Sequence, residues 1–149
     1  MHVTPATAAD TPALCGLLDL LFTQEAEFIP DRDAQIRGLR AIVDDAALGT
    51  ILVARDDGEV VGMVNLLWTV STALGARVAL LEDMVVAPDV RGRGVGGELL
   101  EAAVRYARDR GCRRITLLTD ADNDRAQAFY RRHGFVASPM LPFRRLLDF

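Results

Sequence analysis

The feature that most constrains this chain is a cluster of four glycines within six positions, from Gly92 to Gly97. Apolar residues from Val78 to Ala87 predict a strand before the cluster, and Pro88 ends that strand. Apolar residues at helical spacing predict a helix from about Gly94 to Arg110, with Gly111 at its C-cap. A strand, a glycine-rich loop and a helix in this order predict a layered α/β fold in which the loop opens the helix.

The loop from Arg91 to Gly97 has the composition of an anion site. The first amides of a helix have no carbonyl partner inside the helix, and the helix dipole adds partial positive charge there. Glycine has no Cβ that would hold a phosphate away from those amides. Arg91 and Arg93 can donate paired hydrogen bonds to phosphate oxygens. We therefore expect a pyrophosphate at this loop, and the alternative is a glycine-rich turn with two solvated arginines.

Two motifs overlap in this loop. Gly92, Gly94 and Gly97 fit G-x-G-x-x-G, a dinucleotide fingerprint, and Asp120 stands near the end of the next strand, where a ribose-binding acid is expected. However, Pro88 to Arg91 separate the strand from the first glycine, and only 29 residues follow Asp120. That length is too short for the second half of a dinucleotide-binding fold. The same residues also fit Arg-x-x-Gly-x-Gly.

The rest of the sequence predicts one mixed α/β domain over residues 1–149, with the element order β-α-α-β-β-β-α-β-α-β-β. Gly62, inside a predicted strand, indicates a bulge or a close approach of another element. Asp10 is a candidate N-cap for the first helix. The remaining predicted elements are a strand at Val3–Thr4, a loop from Phe22 to Asp33, a helix from Asp33 to Ala47, a hairpin of Ile51–Ala54 and Val60–Trp68, a strand at Ile115–Thr119, a helix over 123–133, and final strands at Phe135–Ala137 and Phe143–Leu147.

Composition argues against several classes of protein. The net charge is −4, whereas a nucleic-acid-binding domain is expected to be basic. The sequence contains no lysine, which excludes a Schiff-base or phosphate-loop lysine. It has neither a long apolar run nor a signal-peptide pattern, so we expect a cytoplasmic protein without a membrane partner. Two cysteines and two histidines lack metal-ligand spacing, so we expect no metal; they are Cys15, Cys112, His2 and His133.

Two half-motifs together resemble the GNAT superfamily of acyl-CoA-dependent N-acetyltransferases. The first is a strand followed by Pro-x-x-Arg-Gly-x-Gly-x-Gly and a helix. The second is Asn123-x-x-Ala-x-x-Phe-Tyr130, ending in Gly134-Phe135. The resemblance extends over nearly the whole chain and is most specific between Leu81 and Phe135. It implies a mixed, mostly antiparallel sheet flanked by helices, and acetyl-CoA as co-substrate.

The resemblance also implies which residues bind the cofactor. In the family the glycine loop binds the CoA pyrophosphate, and the main chain of the preceding strand pairs with the pantetheine arm. The asparagine of the second half-motif contributes a further contact. Carried over to this chain, the cofactor-binding residues are Met84, Val85, Val86, Arg91, Gly92, Arg93, Gly94, Val95, Gly96, Gly97 and Asn123.

Two side chains are implied for catalysis. The resemblance implies Tyr130 as general acid, but the usual pKa of tyrosine is about 10 and that of a thiol about 8.5, so a hydrogen bond to the departing thiolate is the alternative. An amine with a pKa near 10.4 is almost entirely protonated at pH 7, so a base acting directly or through water would raise the rate. Glu82 is our candidate base. Asp83, expected on the opposite face of the strand, is its rival, and a structural ion pair of Glu82 with Arg77 is the other interpretation.

Acceptor choice in the family depends on the N-terminal helices, their connecting loop and the hairpin. In this chain Arg32 is the only base in that loop, against four acids, Glu25, Glu27, Asp31 and Asp33. This acidity favours a cationic amine, and a solvated loop is the alternative. Trp68 either lines the acceptor pocket or belongs to the core.

The predicted function is transfer of an acetyl group from acetyl-CoA to a primary amine of a small molecule by direct attack. Neither cysteine lies beside the two half-motifs, which argues against an acyl-cysteine. Two other functions stay open: acetylation of protein or peptide amines, and a non-catalytic acyl-CoA sensor. A homodimer, common in the family, also stays open.

Overall fold

The computed structural model describes residues 1–23 and 29–148. Its strands are β1 (His2–Pro5), β2 (Gly49–Asp56), β3 (Glu59–Ser71), β4 (Ala76–Val86) and β5 (Ile115–Leu117). Its helices are α1 (Thr11–Thr23), α2 (Arg32–Val43), α3 (Val95–Asp109) and α4 (Asp124–Arg132). The chain forms two compact units, residues 1–118 and 119–149, and the single-domain organisation stays a prediction. None of the helices in the described ranges combines the length and apolar character needed to span a bilayer.

The five strands form one sheet in the order β1-β2-β3-β4-β5. Neighbouring strands are antiparallel from β1 to β4, and β5 runs parallel to β4. The predicted fold class, a mixed and mostly antiparallel sheet flanked by helices, is therefore confirmed. A dinucleotide-binding fold requires successive parallel βαβ units. The described part of the chain has only the β4–β5 pair in parallel, so that alternative is wrong.

The first unit is built in three layers. Side chains alternate along β2, so Ile51 and Val53 pack with the buried leucines of α1 and with Leu39 of α2. On the other face, α3 contacts β2, β3 and β4. A Cβ on Gly62 would lie 3.4 Å from Leu99 of α3. The register also shifts beside Gly62, where Ala54 pairs with Gly62 and Arg55 with Val60. Of the two alternatives for this glycine, the bulge is confirmed, whereas 3.4 Å is an ordinary van der Waals distance that would leave room for a Cβ.

Asp10 joins the start of α1 to the sheet, in a role that the sequence did not predict. It ends a 3-10 turn, Ala8–Asp10, and its carboxylate accepts a hydrogen bond from the amide of Thr7 at 2.8 Å. The Arg55 guanidinium donates to both carboxylate oxygens, at 2.9 Å from Nη1 and 2.6 Å from Nη2. The N-cap prediction for Asp10 is wrong because the carboxylate turns back to Thr7 and across to β2. The hydrogen bond from Arg55 holds the pKa of Asp10 below its usual value.

The segment between α1 and α2 is shorter than predicted. Helix α1 extends through Thr23, and Asp31 is the N-cap of α2, because its side chain accepts hydrogen bonds from the amides of Asp33 and Ala34. Helix α2 ends at Val43 rather than at Ala47, because a turn follows in which the Asp45 carboxylate accepts from the Ala47 amide at 3.0 Å. Two acids of the predicted acidic loop, Glu25 and Glu27, lie outside the described residues.

The two predicted C-terminal strands are wrong. Neither Phe135–Ala137 nor Phe143–Leu147 forms a strand in the described part of the chain. Pro139 and Pro142 have no amide to donate to a strand ladder. Large apolar side chains of this segment are exposed, such as that of Phe143 at 93%. Apolar composition alone thus suggested strands where the backbone has no partner to pair with.

We predict that Asp10→Asn lowers the free energy of unfolding at pH 7 by about 1–3 kcal/mol, because it removes a charged hydrogen bond to Arg55. A carboxyl whose pKa is depressed by folding stabilises the protein above the unfolded pKa of about 4, and this contribution is lost as the pH falls below that value. The variant should therefore lose less stability than the parent between pH 5 and pH 3 in urea unfolding. Asp44→Asn, which alters the exposed ion pair with Arg40, is the control and should change stability by less than about 1 kcal/mol. Identical acid dependence in the parent and Asp10→Asn would contradict the prediction.

Candidate active site

The glycine loop opens α3 as the sequence predicts. Strand β4 ends at Val86, a 3-10 turn follows at Pro88–Val90, and Gly92 and Gly94 both adopt φ of +80°. Gly94 is the N-cap of α3 and contributes no side-chain cap. The first intrahelical bond runs from the amide of Glu98 to the carbonyl of Gly94, at 3.1 Å. Three amides before it therefore point out of the helix without a carbonyl one turn earlier, those of Val95, Gly96 and Gly97.

The loop fits a diphosphate in both conformation and space. A φ near +80° is left-handed backbone, which glycine adopts without steric cost and other residues rarely adopt. A Cβ built on Gly92 or on Gly94 would meet no atom within 4 Å, so the space over the loop is open. Helix α3 has 15 residues, long enough for its aligned peptide dipoles to favour an anion at this end. The loop thus presents main-chain amide donors in open space, at the positive end of the α3 dipole.

Both arginines of the loop contact the protein. The Nε of Arg91 donates to the carbonyl of Val86 at 3.3 Å, which folds this side chain back onto the end of β4. The guanidinium of Arg93 lies 3.2 Å from a carboxylate oxygen of Asp56, with side-chain exposures of 58% and 34%. An exposed ion pair of this kind contributes little to stability, so a phosphate can compete for Arg93 at small cost. Their contacts to a phosphate stay predictions.

Among the described residues, strand β4 is paired with a strand on only one side as it nears the loop. Its ladder with β5 ends at the pair Leu81–Leu117, whereas β4 itself continues to Val86. The amide of Ala87 donates to the carbonyl of Val61 on the β3 side, at 2.8 Å. Because main-chain groups alternate along a strand, the amide and the carbonyl of Val86 face the opposite side. The carbonyl accepts from Nε of Arg91, so Arg91 would have to move before a ligand could pair with it, whereas the amide of Val86 is the donor that this edge presents. The last residues of β4 thus offer main-chain groups to an extended ligand, as a sheet edge does to an added strand.

The two candidate bases lie on the same face of the sheet. Asn65 of β3 is the register partner of Glu82, so their side chains share a face. The amide Nδ2 of Asn65 also donates to a carboxylate oxygen of Asp83 at 2.6 Å. The prediction that Asp83 points to the opposite face is wrong, because Asp83 has φ of +52° and the β3–β4 register shifts at this point. This bulge interrupts the alternation that the prediction assumed.

The three polar side chains on this face differ in their exposure to solvent. Glu82 is exposed, Asp83 is half-buried and Asn65 is only 3% exposed. Arg77, the predicted structural partner of Glu82, lies with its guanidinium carbon 5.7 Å from the centre of the Trp68 ring. The sequence carries one signal for Asn65, which is the single polar residue in the apolar run from Val60 to Trp68.

Trp68 belongs to the α3 side of the sheet. Its ring is parallel to that of Tyr106 in α3, with centroids 6.3 Å apart, and its indole nitrogen donates to the carbonyl of Ala46 at 3.3 Å. Three positions separate it from Asn65, so the two side chains leave β3 on opposite faces. The interpretation of Trp68 as a packing residue is therefore favoured over a place beside the candidate bases.

The second unit contains the other two predicted residues. Asn123 is the N-cap of α4, and its Oδ1 accepts from the amide of Ala126 at 3.0 Å. A cofactor contact would therefore fall to its Nδ2. The Tyr130 ring packs edge-on against Phe129 and Phe135, with centroids 5.3 and 5.8 Å away. Burial raises the pKa of Tyr130 above its usual value, so the phenol keeps its proton at neutral pH and is suited to donate a hydrogen bond.

No group of three or more acids, histidines and cysteines with the geometry of a metal site occurs among residues 1–23 and 29–148. The side chains that the structure does bring together on β3 and β4 are an amide and two carboxylates, which can accept hydrogen bonds and protons. The roles of all the predicted site residues stay predictions.

Comparison with known sequences identifies the family. The model of the acetyltransferase (GNAT) family matches residues 14–135. An uncharacterized N-acetyltransferase, YhfO of Bacillus subtilis, is 31% identical over 138 residues, which cover 91% of this chain and 89% of the relative. The aminoalkylphosphonate N-acetyltransferase of Salmonella typhimurium is 31% identical over 133 residues, which cover 89% of this chain and 83% of the relative.

Solved structures share the fold. An integron cassette protein from the mobile metagenome of Cole Harbour Salt Marsh has a TM-score of 0.85 at 29% identity, covering 98% of this chain and 90% of the other. An aminoglycoside N-acetyltransferase in complex with CoA has a TM-score of 0.80 at 22% identity, covering 97% of this chain and 93% of the other. Together with the glycine loop and the sheet topology, the family match and the relatives establish that this chain belongs to the GNAT family of acyl-CoA-dependent acetyltransferases.

Proposed function

We propose that this chain transfers the acetyl group of acetyl-CoA to a primary amine of a small molecule. The observation that carries the proposal is the junction of β4 and α3. There the end of β4 has a neighbouring strand on one side only. After a short turn and the glycine loop, the first amides of α3 have no partner within the helix. An extended arm with a diphosphate at its far end is complementary to that arrangement. A structure neighbour in complex with CoA supports the choice of ligand, and a relative named for aminoalkylphosphonates supports a small-molecule acceptor.

Acetyl-CoA supplies a thioester, and the reaction forms a bond from the amine nitrogen to the acetyl carbon as the carbon–sulfur bond breaks. One amine proton leaves the nitrogen and one proton is taken up by the sulfur of CoA, so no other reactant is needed. The amides at the start of α3 bind the diphosphate, and the open edge of β4 orients the arm. These contacts fix the thioester relative to the acceptor, which lowers the entropic part of the barrier.

The carboxylates on β4 are suited to receive the amine proton. Glu82 is exposed, so a proton bound there can pass to water. Asp83 is held by Asn65 on the same face. We propose Glu82 as the base that acts directly or through a water molecule, with Asp83 beside it to bind the acceptor.

Tyr130 is proposed to stabilise the departing sulfur. Because burial raises its pKa, complete proton transfer to a thiolate is even less favourable than for an ordinary tyrosine. A hydrogen bond from the neutral phenol to the developing negative charge needs no such transfer and is the role that this environment favours.

An assay of CoA thiol release tests the function. Purified protein, acetyl-CoA and a panel of amines that includes aminoalkylphosphonates, aminoglycosides, polyamines and lysine-containing peptides should yield release that depends on a small amine. Thiol release with peptides alone would show that the acceptor is a protein or peptide amine and not a small molecule. CoA binding without release on any amine would indicate a sensor instead of an enzyme.

We predict that Gly94→Ala weakens CoA binding at least about tenfold, because a Cβ at φ of +80° costs about 1–2 kcal/mol and displaces the neighbouring amides. Gly111→Ala is the matched control, since Gly111 follows the other end of α3 with φ of +82° and equally open space. Calorimetry with CoA measures affinity, and thermal unfolding measures the shared strain. Equal CoA affinity in the two variants would contradict the assignment of the loop.

We predict that Tyr130→Phe lowers kcat about 100-fold, the scale for losing one hydrogen-bond donor to a developing anion, with little change in KM for acetyl-CoA. The raised pKa of Tyr130 predicts that the parent loses little activity through ionisation of this phenol below about pH 9. Tyr106→Phe, at the other tyrosine of the chain, is the control and should keep its kcat. An unchanged kcat in Tyr130→Phe would remove this residue from the mechanism.

A further inference from the structure

Asn65 has a hydrogen-bonding atom that the described residues leave unused. The residue is 3% exposed, and its Oδ1 is buried with no hydrogen-bond partner in the described part of the chain. Its Nδ2 donates to a carboxylate oxygen of Asp83 at 2.6 Å. The great majority of buried polar side-chain atoms in proteins have a partner. An unpaired acceptor in a sheet core therefore points to a group outside the described residues, and a bound ligand is such a group.

The carboxylate fixes the orientation of the amide. A carboxylate oxygen without a proton can only accept, so the nitrogen of Asn65 must face Asp83 and the oxygen must face away. Rotating the amide to exchange the two atoms would place two acceptors together. The bulge at Asp83, with φ of +52°, brings that carboxylate onto the face of Asn65. Asn65 and Asp83 thus present acceptors, and a ligand that matches them must carry hydrogen-bond donors; a positively charged group with several donors also matches the charge of Asp83.

We propose that Asn65 determines acceptor specificity by binding the ammonium group of the acceptor together with Asp83. The inference rests on the proposed function and assigns its substrate class, a protonated primary amine. Such an ammonium has three donors, enough for Oδ1 of Asn65, the Asp83 carboxylate and one further acceptor or water. A quaternary ammonium has no donor hydrogen and cannot satisfy Oδ1. The bound ammonium then loses one proton to the neighbouring carboxylates or water before its nitrogen attacks.

The first test measures binding without turnover. In the CoA complex, the side-chain amide resonances of Asn65 are followed by NMR during titration with ethylammonium chloride and, separately, with tetramethylammonium chloride. We expect a saturable shift with ethylammonium and at most a small, linear one with tetramethylammonium. Equal shifts with both cations, or none with either, would overturn the proposal. A saturable shift without thiol release would instead show that the proposed function fails while the site stands.

The second test uses variants with the amine that gives the fastest thiol release. Asn65→Leu, which keeps the approximate volume and loses both polar atoms, should raise KM for the amine at least tenfold and leave KM for acetyl-CoA within twofold. A purely structural role would lower the active fraction and the melting temperature and leave both KM values unchanged. That result would overturn the proposal.

The Asp83→Asn variant tests the same site if Asn65→Leu does not fold. It is expected to fold because asparagine tolerates positive φ. It should also raise KM for the amine at least tenfold. Its matched control is Asp57→Asn, an exposed residue of the β2–β3 turn with φ of +50°, which should leave KM for the amine within twofold. Equal KM values in the two variants would overturn the role of Asp83 in the pair.

Discussion

The proposed site depends on main-chain hydrogen-bonding groups that have no partner within the described helices and strands. Strand β4 continues beyond Leu81, where its pairing with the parallel strand β5 ends. Helix α3 begins at Gly94, which has no side chain to cap the helix. Both features leave peptide groups turned toward one region of the first unit. Unpaired peptide groups are costly when buried away from water, so a structure that exposes them at a strand edge and a helix start is suited to an extended, phosphorylated ligand. Recognition by peptide groups also explains why the flanking residues of β4 can be apolar.

The bulge at Asp83 is the second determinant, because it decides which side chains meet on the face of β3 and β4 where we propose that the acceptor binds. In a regular strand Glu82 and Asp83 would leave on opposite faces. The positive φ of Asp83 interrupts that pattern and brings its carboxylate to Asn65 while Glu82 remains paired in register with the same residue. This single bulge thus places two successive acids on one face, Glu82 exposed to solvent and Asp83 half-buried. The exposed carboxylate suits proton release to water, and the half-buried one suits ligand binding.

Much of the first unit could be predicted from sequence because its signals are local. The alternation in β2 and β3, the turn at Asp56 to Gly58 and the glycines around α3 each specify a conformation within a few residues. The position of Asp83 could not be predicted, since a bulge depends on the register between two strands. The double role of Asp10 depends on Arg55, 45 positions away. The C-terminal segment shows the opposite error: apolar residues around Pro139 and Pro142 suggested strands, and the described residues of that segment form none.

The crystal structure of the protein with CoA bound is the most direct test of this account. We expect the diphosphate oxygens to lie within hydrogen-bonding distance of the amides of Val95, Gly96 and Gly97, with the pantetheine arm extended along the open edge of β4 beyond Leu81. A diphosphate bound at any other place, with these amides facing only water, would contradict the central claim.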